Sequence, residues 1–191
     1  LQSPLQNVAV RAKYSAAPGA SGVFEVADFV GTFGGEQLAL ALKITEFDDA
    51  LIDFQCHGTL PLAASYGLFN NPMVTGGDGI VRVNRLSLQG RYADMIDMGR
   101  IANVRASGAL QFESAGIVYK NVQIQVRSGG IRLDDNLFTV DSLLLQAGNS
   151  DFSLLGSARN LLPVLFADSL NSSSALLEFN GRLHCQQLNL T

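Results

Sequence analysis

The chain has 191 residues, of which 47% are apolar and only 16% charged, against about 25% charged in an average soluble domain. A net charge of −4 and a pI near 5.0 argue against a nucleic-acid or anionic-lipid surface binder. No apolar run approaches the roughly 18 residues of a helical membrane span, and Cys56 and Cys185 are too few for a disulfide framework.

No signal peptide is visible, and a chain that opens on Leu1 is expected to be a processed piece of something longer. Residues 7–14 alternate, with Val8, Val10, Ala12 and Tyr14 on one face and Arg11 and Lys13 on the other, as in a half-buried strand. Pro18-Gly19 marks a turn before a second strand over 22–30, which Gly34-Gly35 ends. Residues 37–45 place Leu38, Leu40, Leu42 and Ile44 together. Asp48-Asp49 sits in a connection and reads as a turn, because adjacent residues of a strand point apart. Residues 51–58 form the next strand, with Ile52, Phe54 and Cys56 on one face.

Thr59 to Phe69 predicts a short amphipathic helix capped by Thr59, with Pro61 in its first turn and Leu62, Tyr66 and Phe69 as its stripe. Gly76–Gly79 reads as a loop, residues 80–90 as a strand, and 91–101 as a short helix or a bulged edge. A strand over 105–113 follows. The alternation of Val122, Ile124 and Val126 predicts one strand over 118–127, with Gly129-Gly130 as a turn into 131–133. Phe138 and Val140 share one parity, Leu143 and Leu145 the other, which predicts a β-bulge near Asp141-Ser142.

A strand ending at Gly156 leads to a second helix opened by Asn160, with Pro163 in its first turn and Leu162, Leu165 and Phe166 as an apolar plug. This unit copies the earlier one. Phe54 and Gly58 match Phe152 and Gly156 at an offset of 98 residues, both helices end in Leu-Phe, and a polar loop and a strand follow each. Residues 35–100 and 130–191 are therefore expected to be an internal duplication within a single unit spanning 1–191. Short connections rich in Gly, Asp and Asn favour an antiparallel meander. The expected fold is mainly β (α+β): a curved, mostly antiparallel sheet forming a groove, with two short amphipathic helices.

Catalytic chemistry is hard to assemble from these residues. His57 neighbours Cys56 and His184 neighbours Cys185, but strand neighbours face opposite sides, so each pair offers one ligand. No nucleophile elbow, phosphate loop or zinc-protease motif is present. No catalytic residue, metal or cofactor is expected, and the chain reads as a non-enzyme. Two short helices cannot cover so many one-faced strands, which leaves an apolar groove as the candidate site. Its expected lining includes Leu38, Leu40, Leu42, Val122, Ile124 and Val126. An acyl chain burying about ten methylenes there would gain roughly 8 kcal/mol.

The segment 137–166, LFTVDSLLLQAGNSDFSLLGSARNLLPVLF, with 175–190, resembles the carboxy-terminal region of AsmA-like envelope proteins of the Bacteroidetes type. That family's run S-D-F-x-L-x-G-x-x-x-N-x-L-P is matched by Ser150, Asp151, Phe152, Leu154, Gly156, Asn160, Leu162 and Pro163. RASGALQFE (105–113) and FQCHGTLPL (54–62) also resemble its elements. The closing strand departs from the family's S-x-x-L-D-L, with Gln186 and Asn189 at the polar positions. The resemblance spans about residues 35–191 and is strongest over 130–190. It implies a periplasmic piece of an inner-membrane-anchored protein, the anchor lying outside this chain, related to repeating β-groove lipid-transfer proteins. The implied role is holding phospholipid acyl chains in outer-membrane biogenesis. The alternative is a structural module that docks an envelope protein through a sheet edge.

Overall fold

The computed structural model describes residues 5–19, 21–65, 74–96, 100, 103–119, 121–135, 137–159, 178–185 and 187. Ten antiparallel strands form one open, curled sheet, and they lie side by side in the order in which they occur in the chain. They are β1 (Leu5–Ser15), β2 (Val23–Phe33), β3 (Glu36–Thr45), β4 (Leu51–Pro61), β5 (Val74–Arg91), β6 (Arg105–Tyr119), β7 (Val122–Asp134), β8 (Leu137–Ala147), β9 (Ser150–Arg159) and β10 (Glu178–Cys185). Two short helices, α1 (Leu62–Ser65) and α2 (Tyr92–Ile96), follow β4 and β5, and a 3-10 turn covers Phe47–Asp49.

The turns are built from residues that tolerate positive φ. Gly34 and Gly35, at φ 59° and 89°, close β2 onto β3 as a primed hairpin turn requires. Asn121 (φ 65°), Asp135 (φ 51°) and Gly148 (φ 57°) serve the later hairpins. Arg91 ties the β3–β4 connection to β5: its guanidinium donates to the Asp49 carbonyl at 2.9 Å and reaches the Glu46 and Asp49 carboxylates at 3.0 Å.

Several expectations from the sequence need correction. The alternation over 118–127 is two strands: Val118 and Tyr119 end β6, a hairpin intervenes, and Val122 opens β7. Gly129-Gly130 is no turn but lies inside β7, opposite Leu143 and Ser142. Gly76–Gly79 is likewise within β5, where it pairs with β6. Thr59 caps no helix. Strand β4 runs on to Pro61 because Thr59, Leu60 and Pro61 continue the ladder with β5, and in the described helical residues, Leu62–Ser65, Ser65 Oγ donates to the Pro61 carbonyl at 3.0 Å. The second observed helix falls in the ambiguous 91–101 segment. The plug residues Leu162, Leu165 and Phe166, like Tyr66 and Phe69, lie outside the described residues.

The bulge at Asp141-Ser142 is present. Ile131 faces Val140 while Gly130 faces Ser142, so Asp141 is the extra residue. It resets the pleat and brings Phe138, Val140, Leu143 and Leu145 to one side of the sheet.

Burial is concentrated near the middle of the sheet. Val81, Val83, Ala106 and Ala115 on β5 and β6, Val104 just before β6 and Cys56 on β4 are buried; Phe138 and Leu143 form a second cluster on β8. The whole chain exposes 12218 Å², against about 8,800 Å² for a compact monomer of this mass. Among the described residues no second layer covers the sheet, which contributes to that excess.

Candidate functional site: the apolar face

Residues directly opposite in a ladder point to the same side, so the register fixes which side chains share a face. Leu40 lies opposite Phe29 and Cys56, and Cys56 opposite Leu86. Leu42 lies opposite Val26 and Phe54, and that row continues through Leu88 to Ala106. From Leu38 a longer row runs through Gly58, Val83, Leu110, Ile131 and Val140 to Gly156 and Gly181, crossing the sheet from β3 to β10. Val126 joins the same side, between Ala115 and Leu145, and Ile124 between Ile117 and Ala147. The two triads named from sequence, Leu38/Leu40/Leu42 and Val122/Ile124/Val126, therefore occupy one continuous face. Five of these six are half-buried, and Val122 is 47% exposed.

The opposite face is polar. Lys13, Glu25, Lys43, Asp53, Gln89 and Arg105 follow one another across six strands. Such alternation of charge suits a solvated surface. Arg82 pairs with Glu113, Arg132 with Asp141 and Arg11 with Asp28 on this side. Shallow clefts open here, one of about 590 Å³ beside His57, Arg82 and Arg85, another of about 230 Å³ beside Arg127, Asp151 and His184.

Several glycines let strands approach closely on the apolar side. Gly58 (φ 136°) and Gly156 (φ 151°), the pair aligned by the 98-residue offset, hold conformations that L residues avoid. A Cβ at Gly58 would lie 2.9 Å from Leu38 Cα and closer still to the Gln37 carbonyl. A Cβ at Gly156 would meet the backbone of Asn180 and Gly181 in the same way. Gly108 and Gly129 have similar φ values, so this conformation belongs to the sheet as a whole.

No protein-family model, curated protein or solved structure matches this chain.

The connections fold over the margins of the apolar face. Leu62 of α1 lies where a Cβ at Gly77 would stand, 3.1 Å away, and Val104 packs over Gly90 at the other end of β5. Both segments shield the centre of the face from opposite ends of the strands, which explains why burial peaks on β5 and β6. Cys56 sits in this shielded zone, and its burial pushes the thiol pKa up. Cys56 and Cys185 are both free thiols on the apolar side, on strands β4 and β10. His57 and His184 point to the polar side, opposite Ala39 and Ser153. Among the described residues, no three His, Cys, Asp or Glu side chains gather as metal ligands do, and no helix is long and apolar enough to cross a membrane.

Sequence reasoning named six lining residues, and the register adds others. Phe54, Leu86, Leu88, Phe112, Ile117, Leu145 and Phe152 share the face. Their alternation was readable strand by strand. What joins the strands into one face is the set of bulges, at Arg85 (φ 49°), Ser114 (φ 47°) and Asp141, each of which resets parity in mid-strand.

Proposed function

We propose that this chain is a periplasmic segment of an AsmA-like, inner-membrane-anchored envelope protein, and that its apolar face holds phospholipid acyl chains. It acts without catalysis. The observation that supports this reading is a single apolar face crossing ten antiparallel strands, half-exposed over most of its width, with no second sheet on it among the described residues. Such a face is large enough for extended acyl chains and offers them few polar partners, which suits a carrier of many lipids.

The test is native mass spectrometry of protein purified from a host with a bacterial envelope. Phospholipid should accompany the parent chain, and Leu40→Asp with Ile124→Asp should strip it, because a charge on the apolar face opposes burial of hydrocarbon. Repeated absence of bound lipid, together with no protection of a fluorescent fatty acid, would sink the proposal. A second reading, a structural module that docks an envelope protein through a sheet edge, is favoured by the outer strands β1 and β10, each of which pairs on one side alone among the described residues.

A further inference from the structure

An open sheet has two edges, and in this one they carry a disproportionate share of the exposed apolar surface. Among the described residues, six of the twelve large apolar side chains left exposed lie on β1 and β10. On β1 every residue is exposed, with Val10 at 54% and Tyr14 at 63%; on β10 Phe179 is at 54% and Leu183 at 62%. Edge strands are ordinarily blunted by brevity, proline or a charge turned toward the buried face. Strand β1 is 11 residues long, contains no proline, and turns Arg11 and Lys13 to the polar side opposite Asp28 and Glu25. The bulge at Asn7 (φ 51°) interrupts it, and a second register shift falls between Arg11 and Ala12, where Ala27 of β2 is the extra residue.

We propose that copies of this chain join head to tail, β10 of one pairing with β1 of the next, so that the sheet and its apolar face run on across the junction. The inference names a second copy, and no other protein, as the occupant of the edge, and it stands whether or not the face holds lipid. The topology favours it. In an antiparallel meander with an even number of strands the first and last run in opposite directions, so a copy displaced along the sheet presents β1 antiparallel to β10. The two apolar faces then lie on the same side.

Matching faces restricts the register to steps of two residues. Setting Glu178 opposite Lys13 places Phe179 on Ala12, Gly181 on Val10 and Leu183 on Val8, apolar against apolar, with Arg182 over Ala9. Sliding one step brings Arg182 against Arg11. Sliding the other way drops Leu183 onto Gln6, beyond the Asn7 bulge. The charges and the bulge thus select one register.

Light scattering and sedimentation of the 191-residue chain should show mass rising with concentration through successive multiples, as a heterologous interface requires. Lys13→Glu and Glu178→Lys should each weaken association roughly three- to tenfold, and the double variant should restore it. A second arm uses cross-linking in a Cys185→Ser background. A mixture of Arg11→Cys and Asn180→Cys proteins should form a disulfide-linked dimer under mild oxidation, whereas Arg11→Cys alone should not. A chain that stays monomeric at several hundred micromolar overturns the proposal, as does a closed dimer that ignores Glu178→Lys and cross-links through Arg11→Cys alone.

Discussion

Arg82 on β5 and Glu113 on β6 reach each other diagonally on the polar side, joined by two hydrogen bonds, Nε to Oε1 at 2.5 Å and Nη2 to Oε2 at 3.1 Å. That bond, with the attraction of the guanidinium, holds the Glu113 carboxyl below the usual carboxylate range against a smaller opposing effect of burial. A carboxylate with a lowered folded-state pKa contributes stability that is present above its ordinary value of about 4.3 and is lost as pH falls through the folded value. The parent chain should therefore lose more thermal stability than Glu113→Gln between about pH 5 and pH 3. Equal acid sensitivity of the two, followed by circular dichroism, would show that the pair carries no linkage. Both side chains are about half exposed, so the difference at neutral pH should be small and should shrink in salt.

At the scale of the element, strand β4 depends on one residue without a side chain. Gly58→Ala would put a Cβ against the Gln37 carbonyl and force an L residue into φ near 136°. A loss of at least about 2 kcal/mol is expected, read as a lower urea midpoint at unchanged slope. His57→Ala, one residue away on the solvated face, should cost a few tenths of a kcal/mol at most. The strands were legible because Leu38 to Ile44 and Ile52 to Cys56 alternate without interruption, and the bulge at Asp141 was legible because parity changes there. The hairpin at Asn121 was not. Val118 shares its sequence parity with Val122, Ile124 and Val126, so the alternation reads straight through the turn, although the ladder sets Val118 opposite Gln123 and Tyr119 opposite Val122. Gly129-Gly130 misled in the opposite sense. Glycine permits a turn, but here it serves close approach to Ser142 and Leu143, which depends on the neighbouring strand and not on local sequence. The apolar face as a site was partly legible: alternation gave its members, while its continuity depended on Arg85 and Ser114, two residues whose left-handed conformation nothing in their type foretells.

The whole molecule is a surface more than a core. Among the described residues ten apolar side chains are buried, and five of them are Ala, Cys or Val on β4 to β6. A compact domain of this length would have a radius of gyration of about 16 Å. Small-angle scattering of the monomer, extrapolated to low concentration, should give a larger value. A result near 16 Å would mean that the sheet closes on itself in solution.

Among the described residues the strands bond only to their neighbours in sequence, so few contacts, such as those of α1 with β6, join distant parts of the chain. Loop closure is a small entropic obstacle at every hairpin, so the sheet can start folding at several of them and grow outward, faster than β proteins with crossed strand orders. Its unfolding should be graded in the same way, like that of a linear array whose end units have one neighbour instead of two. Amide exchange should report it, with protection highest on β5 and β6 and falling stepwise toward β1 and β10. Evolution could add or delete a hairpin at either end of such a chain while leaving the rest folded, so the length of the sheet is a quantity that selection can adjust two strands at a time.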